Sequence, residues 1–142
     1  MTGRGIEQGQ LDNLFTAAIE AAVGRIEKDG HFFPLVFELR ANGTIQNVAV
    51  LETGTIEGAE DVLKRLADLL RSRADEGTIK AAAIVHRSGD SMLEARLRAP
   101  NFSADIDVPF TVEAWGLIRR KRRVELGEFT PRPVANDIFG GE

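Results

Sequence analysis

The stretch TIKAAAIVHRSGDSMLEARLRAPNFSADIDVPFTV, Thr78 to Val112, decides the fold. Its first segment, Thr78 to Arg87, is apolar in both alternating phases: Ile79, Ala81, Ala83 and Val85 in one, Ala82 and Ile84 in the other. Successive side chains of a strand point to opposite faces, so such a segment is expected in the middle of a sheet covered on both sides. A turn around Ser88-Gly89-Asp90 leads to Met92–Ala99, where Leu93, Ala95, Leu97 and Ala99 alternate with Glu94, Arg96 and Arg98. After Pro100-Asn101, the run Phe102, Ala104, Ile106, Val108, Phe110, Val112 alternates with Ser103, Asp105 and Asp107. A two-residue turn at Pro100-Asn101 sets Glu94 opposite Asp107, Arg96 opposite Asp105 and Arg98 opposite Ser103. Three antiparallel strands follow from this stretch alone.

Upstream, Leu11, Leu14, Phe15, Ala18, Ile19, Ala22 and Ile26 recur at three- and four-residue spacing, the apolar stripe of an amphipathic helix over about 10–28. Asp29-Gly30 ends it. His31–Arg40 and Thr44–Leu51 then flank Asn42-Gly43, a strong hairpin signal. A type I′ turn there pairs Phe37 with Val48 and Leu35 with Val50 on one side, and Glu38 with Asn47 and Arg40 with Ile45 on the other. After a loop over Glu52–Gly58, a second helix is expected from about Ala59 to Asp75, with Val62, Leu63, Leu66, Leu69 and Leu70 as its buried stripe and Gly77 closing it. Glu57, Glu60 and Asp61 suit the positive end of its dipole; Arg71 and Arg73 suit the negative end.

Beyond Glu113 the pattern weakens. Ala114–Ile118 is apolar, a basic run follows, and Val124–Phe129 reads as a short strand. Thr130-Pro131-Arg132-Pro133 is extended, because proline biases its predecessor away from helix. Ile138-Phe139 reads as a docking anchor. The fold class expected is α+β: a single domain over 1–142, order α-β-β-α-β-β-β, with a mainly antiparallel sheet packed by helices and an extended C-terminal tail over 130–142.

This element order resembles that of profilin-like and roadblock-type domains. Ile79-Lys80-Ala81-Ala82-Ala83-Ile84-Val85, Asp90 and the paired strands ending in Val108-Pro109-Phe110 also resemble a segment in a family of small bacterial α+β proteins with no known activity. The resemblance spans about a quarter of the chain and implies no catalytic or binding residue.

Composition narrows the chemistry. Cysteine is absent, which removes disulfides, thiolate zinc sites, iron–sulfur clusters and cysteine nucleophiles together, and fits a reducing compartment. The N-terminus leads into a polar helix, and no stretch approaches the roughly 18 apolar residues of a membrane span, so the expected location is cytoplasmic, with no membrane partner. The net charge of −4 argues against a general nucleic-acid binder. That charge is unevenly spread: Arg119, Arg120, Lys121, Arg122 and Arg123 hold five of the 18 basic residues, leaving 13 basic against 22 acidic elsewhere.

No constellation carries a catalytic signature. Glu94, Arg96, Arg98, Asp105 and Asp107 read as cross-strand pairs on a solvated hairpin face, with the arginines keeping the carboxylates ionised. His31 and His86 have no partner at metal spacing and read as surface or rim residues. Gly54-Thr55-Ile56-Glu57-Gly58 lacks the lysine and spacing of a phosphate loop, and Glu57 would repel an anion. Ser72, Ser88, Ser91 and Ser103 have no nearby base in sequence and no nucleophile-elbow motif. No catalytic residue, cofactor or metal is therefore expected.

The basic run 119–123 is the one feature left over as an interaction site, for an acidic protein surface, a second copy of the chain, or phosphate. Tyrosine is absent and Trp115 stands alone, so base-stacking aromatics are missing. The first reading is a non-catalytic interaction or scaffold module that self-associates as a homodimer. The second is a nucleic-acid-associated protein using the basic run. The third is an enzyme whose site is assembled from separated residues.

Overall fold

The computed structural model describes residues 8–30, 34–48, 59–116, 118 and 121–139. Among them the chain runs α1 (Gln8–Asp29), β1 (Leu35–Arg40), β2 (Ile45–Val48), α2 (Ala59–Asp75), β3 (Ile79–Gly89), β4 (Met92–Ala99), β5 (Phe102–Trp115), β6 (Lys121–Leu126) and β7 (Thr130–Pro133). The expected order α-β-β-α-β-β-β holds, and two further strands follow it. All pairs are antiparallel, in the spatial order β2-β1-β3-β4-β5-β6, with β7 also paired to β5.

β3 lies inside the sheet, between β1 and β4, and Ala81 to Val85 are buried in unbroken sequence. Ala81, Ala83 and Val85 join Leu11, Leu14, Ala18, Ala22 and Ile26 of α1 in one core. Ala82 and Ile84 join Leu63, Ala67 and Leu70 of α2 in another. The sheet is thus sandwiched between the two helices. β2 and β3 flank β1 and are both antiparallel to it, so they run parallel to each other, and α2 is the crossover that carries the chain over β1. Its stripe is 63/67/70 with Leu66 and Ala74 beside it; Leu69, expected inside, is 53% exposed. A Schellman arrangement closes α2: Thr78 N–H donates to Arg73 O at 3.1 Å and Gly77 N–H to Ala74 O at 3.0 Å, with Gly77 at φ 78°.

The first hairpin differs from expectation by one residue. Gly43 N–H donates to Arg40 O at 2.9 Å and Arg40 N–H to Thr44 O at 2.8 Å, a three-residue loop with Gly43 alone at positive φ. Asn42 turns its side chain to Thr44 instead, its Oδ1 accepting from the Thr44 N–H at 3.0 Å and the hydroxyl at 2.8 Å. The register is therefore Val36↔Val48, Phe37↔Asn47, Glu38↔Gln46 and Leu39↔Ile45. Ile45 now sits with Leu39 toward α1, and Val36 with Val48 toward α2, so β1 is buried on both faces. The second hairpin turns at Pro100-Asn101 as expected, with Asn101 at φ 89° in the third turn position, the positive φ of a type II turn, where proline is common at the second position.

The strands on the outer side of β5 are capped to different extents along their outer edges. Val134 N–H donates to Ser103 O, which continues the β7 ladder and turns the N–H groups of Thr130 and Arg132 toward β5. Pro131 and Pro133 then face outward, where no N–H is available for a further strand. On β6, the outward N–H of Val124 is taken by Glu27 Oε2 of α1 at 2.9 Å.

Glu38 on β1 is fully buried beneath the end of α2. Both Nε and Nη2 of Arg73 donate to its carboxylate, the latter at 2.9 Å, and Arg40 Nε donates at 2.8 Å. Among the described residues, Arg73→Ala leaves that buried charge with Arg40 as its remaining partner. It is expected to lower the unfolding free energy by about 3 kcal/mol, the low end of the range for breaking a buried pair because one partner survives. A urea-denaturation change below about 0.5 kcal/mol would show that the clamp is not stabilising.

Candidate functional site

α2 is too narrow to cover the whole sheet, and the face it leaves over β4 and β5 is polar. The ladder sets His86, Glu94 and Asp107 abreast across three strands; Arg96, Asp105 and Arg132 form the next row, and Arg98 with Ser103 the one after. The expected pairing of Glu94 with Asp107, Arg96 with Asp105 and Arg98 with Ser103 is correct. The expectation of a solvated face is not: Glu94, Arg98 and Asp105 are each no more than 8% exposed. His86, expected at the surface or rim, is buried to the same degree. The cover comes from β7 and residues 134–139, which lie far downstream and return to this face.

Glu94 is the hub. Its Oε1 accepts from His86 Nε2 at 2.7 Å and from Arg96 Nε at 2.8 Å, and its Oε2 accepts from Arg132 Nη2 at 2.9 Å. The hydrogen bond from His86, joined by Arg96, outweighs burial and holds the Glu94 carboxyl down at about 2. An ionised carboxylate only accepts, so His86 carries its proton on Nε2. Arg132 also bridges to Asp107, at 3.0 and 3.1 Å, instead of to its ladder neighbour Asp105.

A second group surrounds Arg98. Its Nη1 donates to Leu97 O and Ala104 O, both at 3.1 Å, and its Nε donates to Asp137 Oδ1 at 2.7 Å. The same Nη1 lies 2.9 Å from Asp105 Oδ1, in ion-pair contact but off the hydrogen-bond direction, so that buried oxygen accepts no hydrogen bond. Beside the cluster, a groove of about 600 Å³ runs between α2 and the sheet, lined by Asp61, Lys64, Asp68 and Arg71 of the helix with Arg96 and Asp137 opposite.

Chemically this arrangement fixes ions in place. Its central carboxylate stays charged far below neutrality, which suits a structural hub rather than a proton-transfer group. Among the described residues no three His, Asp or Glu side chains come together to hold a metal ion.

The basic run is divided. Arg119, Arg120 and His31 lie outside the described residues. Lys121, Arg122 and Arg123 open β6, where alternation sends them to opposite faces. Arg122 turns to α1 and its Nη1 approaches the last carbonyls of that helix, Glu27 O at 3.4 Å and Lys28 O at 3.3 Å, a favourable place for a cation. Lys121 and Arg123 stand opposite Trp115 and Glu113, and Arg123 also bonds Glu125 at 2.7 Å. No one-sided basic patch is formed by these three.

What the run adjoins is apolar. Val112, Trp115, Ile118, Leu126 and Phe129 are exposed, Trp115 by 49% and Ile118 by 97%. All five belong to the β5–β6 hairpin or the residues just after it. Phe129 leans edge-on against Phe15 of α1, with ring centroids 5.4 Å apart. Val112 and Leu126 share the face of Phe110, whereas Trp115, which stands alone as a tryptophan in the sequence, takes the opposite face, across from Lys121. Arg132 and Asp137 were not singled out in sequence, although the adjacent Ile138-Phe139 anchor pointed toward that segment; both anchor residues are buried.

No protein-family model, curated protein or solved structure matches this chain. No helix among the described residues is long and apolar enough to cross a membrane.

Because the folded pKa of Glu94 lies below its unfolded value, its stabilisation is present above the ordinary carboxylate range and is lost as pH falls toward 2. The upper bound for that loss is about 3 kcal/mol, less whatever solvent reaches the site. Glu94→Gln is expected to be destabilised at neutral pH and to lose less stability than wild type between pH 5 and 2. Parallel stability–pH curves for the two proteins would rule out this role for Glu94.

Proposed function

We propose that this chain is a non-catalytic protein-interaction module that self-associates as a homodimer through the β5–β6 hairpin. The observation that carries the proposal is that one arm exposes large apolar side chains on both faces, Val112 and Leu126 on one and Trp115 on the other, with Ile118 and Phe129 in the residues that follow its strands. Apolar surface grouped in this way marks an interaction site more often than a free surface does. A second copy is favoured as the partner because the arm carries both signs of charge close together, Glu113 and Glu125 beside Lys121 and Arg123. A two-fold contact needs a self-complementary patch, and mixed charges meet that need where a single-sign patch would repel itself. The prolines on the outer edge of β7 and the Glu27 cap on Val124 favour contact between faces over strand addition. The absence of cysteine supports a reducing, cytoplasmic setting.

The nucleic-acid reading is weaker, since Arg122 is turned to α1 and Arg123 faces Glu113 and bonds Glu125. The catalytic reading is weaker, since the central carboxylate of the described cluster, Glu94, is held charged by His86, Arg96 and Arg132.

Size-exclusion chromatography with light scattering tests the proposal. Wild type is expected at twice the 15.5 kDa protomer mass, and Trp115→Ser/Ile118→Ser at the protomer mass with an unchanged circular-dichroism spectrum. A wild type that stays monomeric at high micromolar concentration, or a dimer indifferent to both substitutions, overturns it.

A further inference from the structure

Residues 134–139 form neither helix nor strand, yet side chains hold them at nearly every step. Asn136 folds the segment on itself: its Oδ1 accepts from the N–H of Ile138 at 3.2 Å and of Phe139 at 2.8 Å. Its Nδ2 donates to Ala99 O at 2.8 Å, which clips the turn to the end of β4. Ser103 Oγ donates to Ala135 O at 3.2 Å. Asp137 meets the buried guanidinium of Arg98, and Ile138 and Phe139 enter the apolar cluster with Leu63, Ala67 and Leu70 of α2 and Ala82 and Ile84 of β3.

The polar part of the receiving site is held by contacts that do not involve this segment. Arg98 retains Asp105, Leu97 O and Ala104 O, so its Nε stays aimed at an incoming carboxylate. Ala99 O is fixed by the β4–β5 hairpin, and α2 is fixed independently by the Arg73–Glu38 clamp. A site whose parts do not depend on the ligand loses little free energy in being ready for it. The connection is also suited to release. Gly127 to Phe129 is exposed and without regular structure, and β7 is only four residues long. The open groove beside Asp137 shares Leu63 and Ala67 with the apolar cluster and gives a path in from solvent.

We infer that the surface formed by Arg98, Ala99 O and the underside of α2 is a peptide-recognition site. Its ligand is a short Asn-Asp-aliphatic-aromatic segment, held in cis by Asn136–Phe139 and open to the same segment of a second copy. The inference concerns a different surface from the hairpin arm and stands without it. The carboxylate supplies charge recognition by Arg98, the asparagine sets the turn, and the two apolar residues fill the cluster. In the closed chain the tethered segment competes at an effective concentration in the millimolar range, so a free peptide gains entry only when the latch is weakened.

The test uses the full chain and a fluorescent, end-capped peptide of residues 134–139. Phe139→Asp in the full chain is expected to release the latch and bind the peptide saturably, at least about tenfold more tightly than wild type does. The same peptide with Asp137→Asn is expected to bind about tenfold more weakly than the unmodified peptide. A folded Phe139→Asp chain that takes up no peptide, or takes up both peptides equally, overturns the inference. Should that variant fail to fold, hydrogen exchange on wild type decides. Exchange of the Ile138 and Phe139 amides through a local opening, ahead of Ala82–Val85, supports a latch; exchange only together with β3 overturns it.

Discussion

The unbroken burial of Ala81 to Val85 is the constraint from which the rest of this structure follows. A strand that is apolar in both phases cannot show either face to water, so the sheet needs a helix on each side. Alanine at three successive positions lets both helices approach β3 closely, and the bulkier Ile84 and Val85 fill the space beside them. α1 precedes the first strand and can lie along one face. α2 can reach the other only by crossing over β1, which places β3 beyond β1 instead of beside β2. The buried Glu38, held by Arg73 and Arg40, fixes the far end of that crossing.

Covering both faces with single helices leaves a remainder. The stripe of α2 extends over β1 and β3 but not over β4 and β5, and the side chains on that remaining face are Glu94, Arg96, Arg98, Asp105 and Asp107. Their charges interlock, and the C-terminal segment adds Arg132 and Asp137 to complete the set. Buried ion pairs are poor contributors to net stability, because desolvation offsets their attraction. Their effect here is on register. A slip of one residue between β4 and β5 would drive Glu94 and Arg98 into the core beneath α1, and Leu93, Leu97 and Val108 out of it. The ion cluster and the apolar core therefore enforce the same pairing from opposite faces.

The outer side of β5 shows how the sheet ends. β6 follows one part of that strand and β7 another, and each is protected differently: Glu27 takes the outward N–H of Val124, while Pro131 and Pro133 offer none. The hairpin beyond carries apolar side chains on its faces, and the middle of its outer edge is occupied by the Glu27 carboxylate. This separates the surface available for association from the backbone that could aggregate, and it is why the proposed contact is one of side chains.

The sequence by itself determined what depends on local periodicity and turn chemistry. The two helical stripes, the doubly buried β3, the Pro100-Asn101 turn with its register, and the Ile138-Phe139 anchor all rest on residues close together in the chain. Turn chemistry was ambiguous once, at Asn42-Gly43, where the same dipeptide serves a two- or a three-residue loop. The longer loop won because it puts Ile45 beside Leu39 and lets the Asn42 side chain bind Thr44. Only the tertiary structure decided the burial of His86, Glu94, Arg98 and Asp105, the exposure of Leu69, and the division of Lys121, Arg122 and Arg123 between two faces. Alternation states which side of a strand a residue takes. Whether that side meets water, a helix or the returning end of the chain is set by segments far away in sequence.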